Sequence, residues 1–171
     1  QGFESGINRI VYGPDGGIYL GGVGMNGNWS WRGKQFGLEK ILYNGQTTFE
    51  MLSVKALSDG ILIHFTEPLA KGSAIQNTDY SISHWRYEVT SKYGSPKIDE
   101  EKLSIEQIYL SRNRKKVHIK LNKLKKGYVI HIMLNENIKS ASGKDLWSGE
   151  AWYTLNNIPD KSIMRLFWEK I

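Results

Sequence analysis

Histidine and carboxylate side chains are the residues of this sequence that could bind a metal or catalyse a reaction. The chain has four histidines, of which His64, His118 and His131 fall in three separate predicted strands. A zinc or copper site needs at least two imidazoles that converge on one point, each oriented by a further hydrogen bond. The spacing supplies no local pair of ligands, so we predict no metal site.

Acidic residues occur together in the run Asp99-Glu100-Glu101. Glycoside hydrolysis needs two carboxyl groups that face each other across a cleft, roughly 5–10 Å apart, and sequence neighbours seldom provide that geometry. A serine nucleophile on a strand-to-helix turn would require the motif G-x-S-x-G, which the sequence lacks. We therefore predict that the chain is not an enzyme, and we assign no catalytic residue.

A glycine pattern of the dinucleotide-binding type, G-x-G-x-x-G, occurs at Gly22, Gly24 and Gly27. Such a site needs a helix directly after the glycines, because the helix N-terminus binds the pyrophosphate. The residues that follow, Asn28-Trp29-Ser30-Trp31-Arg32-Gly33, do not favour a helix. We predict no cofactor.

Tryptophan and tyrosine residues indicate a binding function instead. Exposed aromatic rings attract the polarised C–H faces of sugars. Two tryptophans lie in a glycine-rich loop, and three further rings surround a long polar connection. The candidate carbohydrate-binding residues are therefore Trp29, Trp31, Trp85, Tyr87 and Tyr93.

The same spacing also has a structural interpretation. Rings at every second position of a strand usually belong to the core, which would bury Trp85, Tyr87 and Trp152. Trp29 and Trp31 would then fill the joint between the N-terminal hairpin and the following domain. The two interpretations differ in whether these rings reach solvent.

Composition and charge limit the possible partners. The chain has 171 residues, 40% of them hydrophobic, which is typical of a globular protein, and it has no cysteine for disulfides or zinc–thiolate sites. Its net charge of +6 is concentrated in residues 112–116 and 123–126, at predicted strand ends. Solvated turns explain these clusters better than nucleic-acid binding, which needs a broad basic face or a known motif. No apolar run approaches the roughly 20 residues that span a bilayer, so we predict no membrane span.

Short alternating strands separated by turns organise the chain from residue 51 to residue 153. Ile61, Ile63 and Phe65 lie on one face of a strand that follows the turn Ser58-Asp59-Gly60. About seven such strands, with no persuasive helix before Pro159, predict an all-β immunoglobulin-like β-sandwich.

Two finer features are expected within this sandwich. The apolar residues step by an odd number from Ile82 to Trp85, which predicts a bulge or a change of sheet near His84. Residues 91–102 read as a polar connection between strands, which contains Tyr93-Gly94-Ser95-Pro96.

Further predicted strands precede the sandwich. Residues 7–12 and 18–20 flank the turn Gly13-Pro14-Asp15-Gly16-Gly17, and residues 36–43 form a third strand. The first hairpin resembles a blade of β-propellers of the glucose/sorbosone dehydrogenase type. This resemblance implies a larger parent protein whose quinone site lies in other blades, and no residue of that site is carried over to this chain.

Four motifs of the sandwich segment resemble the bacterial Ig-like domains of the S-layer type. They occur in the same order and with similar spacing as in those domains, and the resemblance implies an exported bacterial protein. The motifs are Phe65-Thr66-Glu67-Pro68-Leu69, Asp79-Tyr80-Ser81-Ile82, residues 124–127 and residues 138–146.

We expect three segments: residues 1–49 as a strand extension resembling the end of a propeller, 50–158 as the Ig-like sandwich, and 159–171 as a tail or short helix. The first functional hypothesis is a non-catalytic accessory, spacer or docking module of a larger exported bacterial protein, either secreted or located in the periplasm or at the cell surface. Its partners would be other domains of that parent. One alternative is a carbohydrate-binding module; another is a fragment of a quinone-dependent oxidoreductase whose active site lies outside this chain.

Overall fold

The computed structural model describes residues 2–24 and 34–160. The chain divides into two compact units, Gln1–Gln46 and Thr47–Ile171. Trp29, Trp31 and most of the expected C-terminal tail lie outside the described residues.

In the N-terminal unit, residues 2–24 and 34–46 form a three-stranded antiparallel sheet. Its strands are β1 (Gly6–Tyr12), β2 (Ile18–Val23) and β3 (Phe36–Ile41), in the spatial order β1-β2-β3. The β1–β2 turn closes with a hydrogen bond of 2.8 Å from the Gly13 amide to the Gly17 carbonyl, and Gly16 has a φ of 77°, which favours glycine.

This N-terminal sheet buries little of its apolar surface. Among residues 2–24 and 34–46, Leu20 is the one large hydrophobic side chain that is fully buried. The strand register places exposed Ile10 and Tyr12 on one face, and exposed Val11 and Leu38 on the other. Both faces therefore present apolar side chains to solvent.

Residues 47–160 of the second unit form eight strands in two antiparallel sheets. The strands are β4 (Met51–Leu57), β5 (Gly60–Phe65), β6 (Tyr80–Tyr87), β7 (Lys97–Lys102), β8 (Ile105–Leu110), β9 (Lys116–Leu121), β10 (Tyr128–Leu134) and β11 (Glu150–Leu155). One sheet has the order β4-β5-β9-β8, and the other has the order β11-β10-β6-β7. These orders match the A-B-E-D and G-F-C-C′ sheets of an immunoglobulin-type sandwich.

The core of this sandwich lies between the two sheets. Ile63 and Phe65 of β5 face Ile82 of β6 and Ile132 of β10 across it, and all four side chains are buried. Phe49, just before β4, stacks on Phe65 with ring centroids 5.7 Å apart. Period-two alternation therefore gives each sheet one apolar face, and the predicted all-β sandwich is confirmed.

One prediction within the sandwich is wrong. Residues 91–102 were expected to form a polar connection between strands, but Lys97–Lys102 forms β7 and pairs with β6. This strand lies at a sheet edge and is almost entirely charged, with Ile98 as its one apolar residue. Its pairing depends on backbone hydrogen bonds, which do not require alternating apolar side chains. The sequence therefore carries no apolar pattern that would indicate this strand.

The predicted irregularity near His84 is confirmed. His84 of β6 pairs with Glu101 of β7, and Arg86 pairs with Ile98. The chain therefore advances two residues in β6 and three residues in β7 between these pairs. The extra residue lies in β7, where Asp99 has a φ of 55°. The burial pattern of β6 changes at the same point. His84 and Trp85 are both buried, although adjacent residues of a strand face opposite sides of the sheet.

Candidate functional site

Four aromatic side chains form a row across the outer face of the β11-β10-β6-β7 sheet. We call this row the aromatic ladder; it consists of Trp152 on β11, His131 on β10, and Trp85 and Tyr87 on β6. The ring centroids of Trp152 and His131 are 5.1 Å apart with their planes at 12°. His131 meets Trp85 edge-on at 5.7 Å, and Trp85 meets Tyr87 edge-on at 6.4 Å.

The ladder forms because backbone pairing brings distant residues to one face. His131 pairs directly with Trp152 and also with Ser83, while Val129 pairs with Trp85. Directly opposed residues project from the same face of a sheet, so all of these side chains lie on the side away from the core.

Trp85 is covered although it lies on this outer face. It is 1% exposed, and the ammonium group of Lys97 on β7 lies 3.6 Å from the centroid of its ring. The indole N–H has no hydrogen-bond partner in the part of the chain that the structure describes. Trp85 therefore has no free face for stacking on a sugar. Its role in the ladder is to contact the rings of His131 and Tyr87.

The other candidate residues are placed differently. Tyr87 is 48% exposed beside Trp85, and Tyr93 is fully exposed in the connection between β6 and β7. Trp29 and Trp31 lie outside the described residues. The structure thus brings Trp85 and Tyr87 together, and of these two rings only Tyr87 reaches solvent.

The core interpretation is wrong for two of its three rings, because Tyr87 and Trp152 are exposed and Trp85 alone of the three is buried. Trp152 was not among the candidate binding residues. It is 59% exposed and lies on β11, which is an edge strand. Alternation along a strand predicts which residues share a face but does not say which face is covered. The sequence signal for an exposed Trp152 is Glu150-Ala151-Trp152. Residues two apart in a strand share a face, so the charged Glu150 indicates that the indole lies on a solvent-facing side.

Glu150 is the first residue of this edge strand. Its carboxylate is 2.6 Å from Nε2 of His131, so it holds the imidazole that supports Trp152. It also lines two cavities. One cavity, of about 550 Å³, contains Met133, Glu136, Asn137, Asp145 and Leu146 among its lining residues. The other, of about 310 Å³, is bordered by Glu50, Met51, Ser53, Tyr153 and Trp152, among others.

A polar cluster lies at the opposite edge of the same sheet. Lys123 and Lys125 donate hydrogen bonds of 2.5 and 3.2 Å to Glu101, which lowers the pKa of that carboxyl to about 2. His84 lies 3.6 Å from Glu101, is fully buried, and stacks at 4.7 Å on the ring of Tyr128. Burial lowers the pKa of His84, which favours the neutral imidazole. The carboxylate of Glu101 beside it is paired with the two lysines.

A histidine–aspartate pair occurs on the other sheet. His118 is nearly fully buried, and its Nε2 is 3.0 Å from Oδ1 of Asp59 in the β4–β5 turn. Burial lowers the pKa of His118 more than Asp59 raises it. The ring also stacks on Tyr109 of β8 at 5.4 Å, so the pair ties a turn to the face of a sheet.

Across residues 2–24 and 34–160, no three His, Asp or Glu side chains are arranged to hold a metal ion. No helix there is long and apolar enough to cross a bilayer.

Comparison with known proteins gives similarity to solved structures only. No protein-family model matches the sequence, and no curated protein matches it. The crystal structure of the S-layer protein rSbsC(31-844) is similar with 21% identity and a TM-score of 0.49, over 67% of this chain and 14% of that one. The N-terminal part of the bacterial S-layer protein SbsC is similar with 23% identity and a TM-score of 0.49, over 64% of this chain and 24% of that one. This chain therefore spans less than a quarter of either structure, and its fold assignment rests on the strand order and core described above.

Proposed function

We propose that this chain is a non-catalytic immunoglobulin-like module that acts as a spacer and docking domain in a larger exported bacterial protein. The observation that carries the proposal is the contrast between the two units. The sandwich encloses its own apolar core, whereas the N-terminal sheet exposes apolar side chains on both faces.

The N-terminal sheet has a clear need for a partner surface. A small sheet without a packed face is marginally stable in water, and burying apolar surface contributes about 25 cal/mol per Å². Leu38, which is 79% exposed, and the similarly exposed Ile10 lie on opposite faces, so both sides offer such area. We take the partner to be another domain of the parent, and the hairpin's resemblance to a propeller blade supports a propeller in that role.

The ionic groups of the sandwich support a structural role. Glu67 accepts hydrogen bonds from Lys144 and Ser142, and Asp99 accepts one of 2.6 Å from Arg86. These partners lower the pKa of both carboxyls. A general acid at neutral pH needs the opposite shift, so these carboxylates act as fixed charges that join loops and strands.

Amide hydrogen exchange tests the docking role. Amides of β1 and β3 should exchange at least tenfold more slowly in the full-length parent than in this chain, while amides of β5 should be unchanged. A Leu38→Ser variant of the parent should lose that protection, whereas Leu52→Ser, at an exposed position of the sandwich, should keep it. Equal exchange of β1 and β3 in the parent and in the isolated chain would contradict docking.

Carbohydrate binding is the second candidate function. The exposed rings of Tyr87 and Trp152 on one sheet face favour it, together with exposed Tyr93. Titration of tryptophan fluorescence with a panel of mono-, oligo- and polysaccharides tests it. The Trp29→Ala/Trp31→Ala and Tyr87→Ala/Tyr93→Ala double variants locate the site, and a flat response of the wild-type chain across the panel would reject the candidate.

A further inference from the structure

We propose that an uncharged saccharide chain binds along β11, stacked on Trp152 and extended into the 550 Å³ cavity beside Glu150 and Asn137. This inference rests on the carbohydrate-binding candidate and assigns it a site that none of the sequence-predicted residues occupies. Three observations lead to it: an ordered ring with one open face, a cavity of mixed polarity, and a shared side chain between them.

Trp152 is a supported platform. His131 covers one face of the indole in a nearly parallel stack, and Glu150 fixes His131 through the 2.6 Å contact. The indole is more than half exposed and borders the smaller cavity, so its second face is the one open to a ligand. A ring held in place before binding loses little rotational freedom when a ligand stacks on it, which favours affinity.

The larger cavity suits a ring with both apolar and polar edges. Its volume of about 550 Å³ lies within the range of small-molecule sites. Met133, Leu134 and Leu146 supply apolar lining, while Glu136 and Asn137 supply hydrogen-bonding groups. A sugar presents C–H groups on its faces and hydroxyl groups around its edge, so it can use both kinds of lining residue. Carboxylate oxygens accept from hydroxyl groups, and the asparagine amide both donates and accepts.

Two adjoining cavities favour a chain of sugars over a single sugar. Glu150 lines both cavities, and Trp152 lies two residues further along the same strand. One sugar on the indole would leave the larger cavity empty. A chain of two or more units would occupy both places along β11.

The lining of the larger cavity favours an uncharged saccharide as the occupant. Asp145 is paired with Lys139, and both residues line the cavity. The carboxylates of Glu136 and Glu150 disfavour an acidic saccharide, and their oxygens accept hydrogen bonds from hydroxyl groups. The apolar lining matches the C–H faces of a sugar better than the ammonium groups of a basic peptide.

Binding measurements on the whole chain test the proposal. Calorimetric titrations would use neutral oligosaccharides of two to six glucose or N-acetylglucosamine units, with decalysine as the cationic comparison. Wild type should bind at least one oligosaccharide, more tightly for longer chains. Trp152→Ala should weaken binding at least tenfold, Trp152→Phe less because it retains a ring, and Asn137→Ala severalfold. Unchanged circular dichroism and melting temperature would show that each variant is folded.

The double variant Tyr87→Ala/Tyr93→Ala tests the competing site, because it removes exposed candidate rings that lie away from β11. Retained binding there, with loss in Trp152→Ala, supports the site. Loss in the double variant with retention in Trp152→Ala would overturn this inference while leaving carbohydrate binding intact. Absence of oligosaccharide binding by wild type would overturn both. Binding of decalysine alone, weakened by Trp152→Ala, would replace the saccharide with a basic peptide.

Discussion

The imidazole of His131 lies face to face with the indole of Trp152 at directly opposed positions of β10 and β11, with their planes 12° apart. Stacked aromatic pairs contribute about 1 kcal/mol beyond their buried area. The pair is also the point at which the sandwich edge, the aromatic ladder and the Glu150 cavities meet. Its contribution can be separated from that of the hydrogen bond between His131 and Glu150.

Substitution of His131 should distinguish ring stacking from the hydrogen bond with Glu150. His131→Ala removes both interactions and should lower the free energy of unfolding by about 1–2 kcal/mol. His131→Phe keeps the stack but removes the contact with Glu150, and it should recover most of the loss. Urea unfolding provides the free energies, and near-ultraviolet circular dichroism reports the order of the indole. Equal losses in the two variants would show that the contact with Glu150 dominates.

His84 should make the stability of the sandwich dependent on pH. Burial lowers the folded-state pKa of His84 below its ordinary value of 6.5, in the presence of Glu101, Lys123 and Lys125. The unfolded chain then binds the proton more readily, so stability is complete above pH 6.5 and falls as the pH drops toward the folded-state pKa. The lowered pKa values of His64 and His118 act in the same direction.

A His84→Phe variant tests this contribution. Phenylalanine keeps a ring against Tyr128 and removes two buried nitrogens that lack hydrogen-bond partners among the described residues. At pH 7.5 the variant should match or exceed wild type, by up to about 1 kcal/mol. Between pH 7 and pH 5 its urea midpoint should fall less steeply. Parallel pH profiles for the two proteins would show that His84 is not the titrating group.

Lys97 should stabilise the covered indole of Trp85. A cation above a desolvated aromatic face contributes about 1–2 kcal/mol, and here the nitrogen is 3.6 Å from the ring centroid. Lys97→Met keeps the aliphatic stem and removes the charge, so it should lower the free energy of unfolding by about that amount. Lys92→Met, at an exposed position of the connection between β6 and β7, is the control and should change stability by less than about 0.5 kcal/mol. Equal effects of the two changes would argue against the cation–ring interaction.

Phe65 should be among the most sensitive positions of the core. It is fully buried, lies on the inner face of β5, and stacks on Phe49. Phe65→Ala should cost about 3–5 kcal/mol, because it removes transfer free energy and leaves a cavity. Leu52→Ala on β4 should cost less than about 0.5 kcal/mol, since that side chain is largely exposed. Equilibrium urea unfolding would measure both, and a loss below about 1 kcal/mol for Phe65→Ala would mean that the core relaxes around the gap.

The inner faces of the sandwich could be predicted from sequence because local signals agree there. The turn Ser58-Asp59-Gly60 fixes a hairpin, and strict alternation at Ile61, Ile63 and Phe65 fixes its buried face. The odd step after Ile82 likewise located a bulge. Each of these signals involves residues close together in the chain.

The candidate site could not be predicted in the same way. The ladder joins Trp85, His131 and Trp152, which come from three strands whose order is set by long-range pairing. Alternation could not show that Trp152 faces solvent on an edge strand. Strand β7, which supplies Lys97 above Trp85, has no apolar periodicity to reveal it. The site therefore depends on pairing and edge position, which single-strand patterns do not encode.

Asp15 should hold the β1–β2 hairpin of the N-terminal sheet together. Its carboxylate accepts hydrogen bonds from the Gly17 amide at 3.1 Å, the Tyr19 hydroxyl at 2.9 Å and the Lys40 ammonium at 2.5 Å. These donors, with Lys40 the strongest, hold the pKa of Asp15 well below its ordinary value of 3.8. The contribution of Asp15 is therefore complete at neutral pH and decreases as the pH falls below 3.8 toward the folded-state pKa.

An Asp15→Ala variant should speed amide exchange in β1 and β2 severalfold at pH 7. The substitution removes all three hydrogen bonds, including the one that joins the Lys40 side chain of β3 to the hairpin turn. Asp15→Asn, which keeps an acceptor but no charge, should have an intermediate effect. Amides of β5 in the same samples are the internal control, since Ile63 and its neighbours belong to the separate core of the sandwich. Exchange measured by NMR decides the outcome. If β1 and β2 keep their wild-type rates in Asp15→Ala, the turn backbone alone fixes the hairpin and the side chain contributes nothing.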